Sequence, residues 1–198
     1  MEERIRVLSI DFDYFLDTDL ETREHCFPAG ADRMEAALLE SLWQLVYREF
    51  PWIGEMGVIP SFEEICERVR GILEKNPGVQ RRQALSHGEI GGMFSQGKTY
   101  LIHHIDFHHD YYIGQNPHRL DCSNWLRLVM EAHPESQVIW YCRENSVRSS
   151  IAGEFPHATR RDLQGLLEMY DCIFLCFSPE WSPPHLQGTY HRLAALLE

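Results

Sequence analysis

Four short stretches of nearly continuous apolar residues punctuate the chain, near 5–12, 99–106, 137–142 (Gln137-Val138-Ile139-Trp140-Tyr141-Cys142) and 172–177 (Cys172-Ile173-Phe174-Leu175-Cys176-Phe177). Apolar runs of this length without polar alternation suit strands covered on both faces, as in a parallel sheet. Helical periodicity fills the intervals. Met34, Leu38, Leu42, Leu45 and Val46 recur at three and four, as do Phe62, Ile65, Cys66, Val69 and Ile72. The second set follows Ser61, with Glu64 three residues on, the pattern of a capping box. Leu163, Leu166, Leu167 and Tyr170 form a further set after Thr159, and Leu193, Leu196 and Leu197 another after Ser182-Pro183-Pro184. Segments 51–60 and 76–99, rich in Gly, Pro and polar residues, read as long loops.

Strands alternating with amphipathic helices predict an α/β fold, a mainly parallel sheet flanked by helices, with ligands beyond the carboxyl ends of the strands. The length of 198 residues, 44% hydrophobic, fits a single domain over 1–198, which at this size buries roughly 70% of the surface of its unfolded chain. A formal charge of −12 argues against nucleic acid or an anionic membrane as partner, because both demand a basic face. Six cysteines without a C-x-x-C pair read as reduced thiols. The opening Met1-Glu2-Glu3-Arg4 and the short apolar run after it suit neither a secretory signal nor a membrane span, so a cytoplasmic protein is expected. Oligomeric state is not encoded in any of these features.

Chemistry concentrates at two strand ends. Asp106-Phe107-His108-His109-Asp110 places carboxylate, imidazole and carboxylate at alternate positions, and Ser9-Ile10-Asp11-Phe12-Asp13 ends another apolar run in two carboxylates. Alternate side chains of an extended chain share a face. Four carboxylates gathered at one sheet edge repel one another, and uncompensated buried charges cost several kcal/mol each. Two divalent cations would balance Asp11, Asp13, Asp106 and Asp110, with His108 and one further histidine completing the ligands. Carboxylate and imidazole without thiolate favour a hard metal such as manganese, with iron, cobalt, nickel and zinc also compatible. His103, His104 and His109 read as structural groups or as neighbours of the ligands.

These motifs resemble those of the arginase and ureohydrolase superfamily, D-x-H-x-D and S-x-D-x-D with a histidine in a Gly-rich loop. Here S-x-D-x-D opens the chain and lacks a later Asp-Pro, an order that a circular permutation would produce. In this and in length the chain is similar to the family that includes the peptide arginases of ribosomal peptide maturation, which convert arginine side chains of a precursor peptide to ornithine. The resemblance implies a three-layer arginase-like fold and two Mn2+. The loop histidine would be His87; one metal would see His87, Asp106, Asp110 and Asp11, and the other His108, Asp106, Asp11 and Asp13. Such a pair acidifies water enough for attack on the guanidinium carbon, with Asp110 guiding the proton to the departing amine to give ornithine and urea. Glu180, at the end of the last apolar run, is the expected partner of the guanidinium, Glu89 is second, and His118 is a candidate proton donor. An arginine-containing precursor peptide is the expected substrate, since no residues stand out for holding the α-groups of free arginine.

Two other readings use the same residues. Ile10-Asp11-Phe12-Asp13 also resembles the haloacid-dehalogenase phosphatases, where the first Asp is a nucleophile, although Phe15 stands where Thr or Val is expected. The third reading is a catalytically silent metal-binding module.

Overall fold

The computed structural model describes residues 4–28, 32–113, 119–146 and 157–198, with backbone alone for 157–162. Among them, six strands form one sheet: β1 (Ile5–Asp11), β2 (Gln80–Ala84), β3 (Tyr100–Ile105), β4 (Gln137–Cys142), β5 (His157–Thr159) and β6 (Cys172–Cys176), in the order β2-β6-β1-β3-β4-β5. Every pairing is parallel. The helices are α1 (Leu20–Cys26), α2 (Ala36–Glu49), α3 (Ser61–Lys75), α4 (Trp125–Ala132) and α5 (Gln187–Ala194), joined by short 3-10 turns.

Period-two alternation divides the sheet between two cores, giving a three-layer α/β fold. Leu8, Ile10, Ile105, Ile173 and Leu175 face one layer, where Leu39 and Trp43 of α2, the Phe62, Ile65, Val69 and Ile72 stripe of α3, and Leu193 of α5 are buried. Val7, Ile102, Trp140, Phe174 and Cys176 face the other, packed by Trp125, Leu126 and Val129 of α4. Both α2 and α3 stop just before a proline (Phe50-Pro51 and Asn76-Pro77), where the preceding residue is pushed out of helical geometry.

Three expectations need correction. Segment 76–99 contains β2, an edge strand whose Gln80-Arg81-Arg82-Gln83 composition hides it from a search for apolar runs; charged residues suit an edge because they discourage further pairing. The helical pattern expected after Thr159 is instead a 3-10 turn, Arg160–Gly165, directly following β5. Ser61 begins α3 without capping it, and its buried Oγ has no hydrogen-bond partner among the described residues.

The strand histidine His103 lies in the first core, its Nδ1 3.0 Å from the Tyr170 hydroxyl and 3.1 Å from that of Tyr141. Burial pushes its imidazole down to about 4. In the unfolded chain the same group takes a proton near pH 6.5. Its contribution to stability is therefore complete above about pH 6.5 and drains away as the pH falls towards 4, by up to about 3 kcal/mol. Urea midpoints measured between pH 7 and pH 4.5 should fall accordingly, and a His103→Gln variant should lose part of that slope.

Candidate metal centre

The site is assembled at the carboxyl ends of β1 and β3, on the α4 side of the sheet. Val7, Ser9 and Asp11 share one face of β1, and the parallel register sets Ser9 beside His104 of β3 and Phe174 of β6. Asp11 caps the 3-10 turn Phe12–Phe15, its Oδ1 accepting the Asp13 amide at 3.1 Å, which carries Asp13 round into the same depression. After β3, Asp106 Oδ1 accepts the His108 amide at 2.7 Å. Asp110 adopts φ 52, the left-handed region that non-glycine residues rarely occupy. It is held there by two links to α4: its carbonyl accepts the Leu126 amide at 3.1 Å and its Oδ2 accepts the Trp125 indole N–H at 2.6 Å.

His87 arrives from the turn after β2. Ser86 caps this turn, and Gly88 is needed because a Cβ there would lie 2.8 Å from the Asp121 backbone. The ring is clamped between Trp125 and Phe174, with centroids 5.0 and 5.5 Å away. Its Nε2 lies 2.7 Å from the Ser9 hydroxyl, which leaves Nδ1 to face the carboxylates. Three carboxylate oxygens surround that nitrogen: Asp106 Oδ2 at 3.0 Å, Asp110 Oδ2 at 3.1 Å and Asp11 Oδ2 at 3.2 Å. On the other side of Asp106, His108 Nδ1 lies 3.2 Å from Asp13 Oδ2 and 3.9 Å from Asp106 Oδ1. All six residues singled out as metal ligands, Asp11, Asp13, His87, Asp106, His108 and Asp110, are thus brought together.

The structure adds four residues to them. His104 is buried, with Nε2 3.5 Å from Asp106 Oδ2 and 3.9 Å from Asp110 Oδ2, and neither ring nitrogen has a hydrogen-bond partner among the described residues. Arg23 of α1 is fully buried and meets Asp13 twice, Nη1 to Oδ2 at 3.2 Å and Nη2 to the carbonyl at 2.6 Å. Ser178, at φ 48, donates to Asp11 Oδ2 at 2.5 Å. Trp125 supplies the indole bond to Asp110. His104 was detectable, because it shares strand parity with Asp106 and His108; Arg23 sits in a seven-residue helix that has no periodic signal.

Glu180 is positioned differently from the expectation. Its Oε1 accepts the Met34 amide at 3.1 Å, and it lines a separate cavity of about 220 Å³ with Arg33, Ser86 and Glu89. The left-handed turn at Ser178 directs the chain away, so that Trp181 and not Glu180 borders the depression over the carboxylates. Glu89 lies in the same side cavity, 3.8 Å from Arg82. Besides Asp11 and Asp110, the acid that borders the cavity over the carboxylates, of about 390 Å³, is Glu24. His118 lies outside the described residues.

The electrostatics call for a cation. Burial, with Asp11 and Asp13 adding repulsion, pushes the Asp106 carboxyl well above the ordinary carboxylate range. Burial and the Asp106 charge do the same to Asp110. For Asp13 burial is outweighed by the His108 contact and the Arg23 charge, so its carboxyl lies below the usual value. His104 is driven well below the usual imidazole value by burial and then by His87, so it is neutral and has a lone pair to give. Arg23, lowered to about 10 by burial, stays charged at neutral pH.

Two His/Asp groups could therefore hold metal ions, His87 with His104 and Asp106, and Asp13 with Asp106 and His108, each with ligand atoms within 4.8 Å of one another. The unpartnered His104 nitrogens and the unpartnered Asp13 Oδ1 fit such ions, since buried polar atoms are seldom left without a partner. No protein-family model, curated protein or solved structure matches this chain, so the site is read from its own residues. No helix among the described residues is long and apolar enough to cross a membrane.

Ser9 fixes which His87 nitrogen faces the carboxylates, and losing such a partner typically costs 10–100-fold in metal affinity. Ser9→Ala should weaken Mn2+ binding by about that factor in calorimetric titration. Because a metal binds the ionised carboxylate and burial raises Asp106 and Asp110 above the ordinary carboxylate range, Mn2+ binding should release protons and weaken as the pH falls. Titrations in buffers of different ionisation enthalpy measure that release.

Proposed function

We propose that this protein is a binuclear, manganese-preferring hydrolase that cleaves the guanidinium group of arginine residues in a peptide to give ornithine and urea. The observation that carries this reading is the position of Asp106. Its Oδ2 faces His87 and His104 while its Oδ1 faces His108, so Asp106 belongs to both groups of residues that would hold a cation. When bound, a pair of divalent cations supplies the acidity that turns water into a nucleophile near neutral pH.

The chain's own residues account for the rest. The cavity floor is formed by Asp11, His87, His108 and Asp110, and Tyr112 and Trp181 border it with aromatic rings. A guanidinium stacks on such rings and pairs with carboxylates. Glu24, exposed at the mouth, is the acid in position to receive the positive charge of an arginine. Asp110, with one oxygen held by Trp125, accepts a hydrogen bond from the attacking water and passes its proton to the departing amine. The C–N bond to the arginine side chain breaks, the amine leaves as ornithine, and the carbon leaves as urea. The excess of acid over base suits a peptide carrying arginine.

The phosphatase alternative accounts for fewer of these residues. That reading leaves Asp106, His108 and Asp110, which gather around Asp11, Asp13 and His87, without a role, and Phe15 stands where Thr or Val is expected.

Incubation of manganese-loaded protein with arginine-containing peptides should release urea, with a loss of 42 Da at each modified arginine in the mass spectrum. Asp106→Asn should abolish both urea release and the second equivalent of bound metal; full activity in this variant would refute the site. Glu24→Gln should raise KM for an arginine peptide about tenfold or more, with kcat less affected, since a charge-assisted hydrogen bond contributes roughly 1.5–3 kcal/mol.

A further inference from the structure

The two halves of the metal centre are not equivalent, and the difference lies in Arg23. Around His87 Nδ1 gather the oxygens of Asp11, Asp106 and Asp110, and the imidazole of His104 adds a second nitrogen; among the described residues no lysine or arginine pairs with the carboxylates of this inner half. The outer half is built from Asp13, His108 and the second oxygen of Asp106. There the charge of Asp13 is already answered by Arg23, bonded to both its carboxylate and its carbonyl. The guanidinium is fully buried and lies over Phe107, its Cζ 3.8 Å from the ring centroid. Arg143 is 5.8 Å from the same ring and binds the Leu16 and Tyr14 carbonyls, tying down the segment that follows Asp13. A charge so enclosed is not screened by solvent, so its repulsion of a cation a few ångströms away persists in salt.

We propose that Arg23 is a positioning residue that serves as the resident counter-charge of the outer metal position, so that the inner position retains its ion while the outer one binds more weakly and exchanges. The guanidinium holds Asp13 in its ligating orientation whether or not the outer ion is bound, leaving Asp13 Oδ1 without a protein partner and available. The cost is that an incoming divalent ion must share Asp13 with a fixed positive charge. Among the described residues the inner position has no such competitor, and it has two imidazoles. This inference rests on the two-cation reading of the site but not on the identity of the substrate.

Calorimetric titration of chelator-stripped, full-length protein with Mn2+ tests it, with EPR counting the free ion. Two binding steps are expected, separated by at least about tenfold in Kd. His108→Ala should remove the weaker step and spare the tighter one, which assigns the weaker step to the outer position. Arg23→Met, which keeps the length and apolar body of the side chain, should tighten the weaker step and narrow the gap, while Arg23→Lys should preserve it. Two steps of equal affinity in the wild type, loss of the tighter step in His108→Ala, or equal weakening by Met and Lys would overturn the role of Arg23. A thermal melt reports whether Arg23→Met folds; if it does not, the wild-type and His108→Ala titrations decide. A single equivalent of bound metal would instead refute the two-cation centre itself, and absence of urea release with two unequal steps would leave Arg23 in place while removing the proposed reaction.

Discussion

Four carboxylates that emerge from two neighbouring parallel strands cannot share a buried pocket without positive charge among them. That constraint organises the carboxyl edge of the sheet. Asp11 and Asp13 follow β1, Asp106 and Asp110 follow β3, and the register that pairs Ser9 with His104 fixes how closely the two sets approach. The protein answers part of the repulsion itself, with the Arg23 guanidinium on Asp13 and donors on Asp11 and Asp110. The remainder, concentrated on Asp106 and Asp110, is what a pair of cations would balance.

The supporting structure around the carboxylates is rigid for a physical reason. His87 is held between two aromatic rings and a serine hydroxyl, so its Nδ1 points at the carboxylates. Asp110 and Ser178 both occupy left-handed backbone conformations, which cost free energy and persist only where neighbouring contacts impose them. At Asp110 those contacts come from the first turn of α4. The helix that packs the second core therefore also aims a carboxylate.

The cavity above the cluster joins hard and soft features. Its floor is carboxylate and imidazole, its walls include Tyr112 and Trp181, and Glu24 lies at its mouth. A flat cation with hydrogen-bond donors around its rim matches the aromatic walls and the acid of such a surface. Glu180, close in sequence to this wall, belongs instead to the support of the Met34 backbone.

Much of this was legible in the order of residues. Apolar runs marked β1, β3, β4 and β6, because strands buried on both faces need continuous apolar character. Alternation within Asp106 to Asp110 and Asp11 to Asp13 marked the ligands, because extended chain presents every second side chain to one side. Local pattern did not reveal β2, whose polar residues suit an edge, nor the turn that swings Glu180 away. It was equally silent on Arg23, whose role depends on a short helix with no periodicity packing Phe107 against the ion pair with Asp13. Chemical type and spacing are properties of neighbours along the chain, so sequence alone carries them. Which histidine nitrogen faces inward, which acid borders the cavity and which arginine offsets a carboxylate depend on contacts between residues tens of positions apart, and only the packed sheet brings those together.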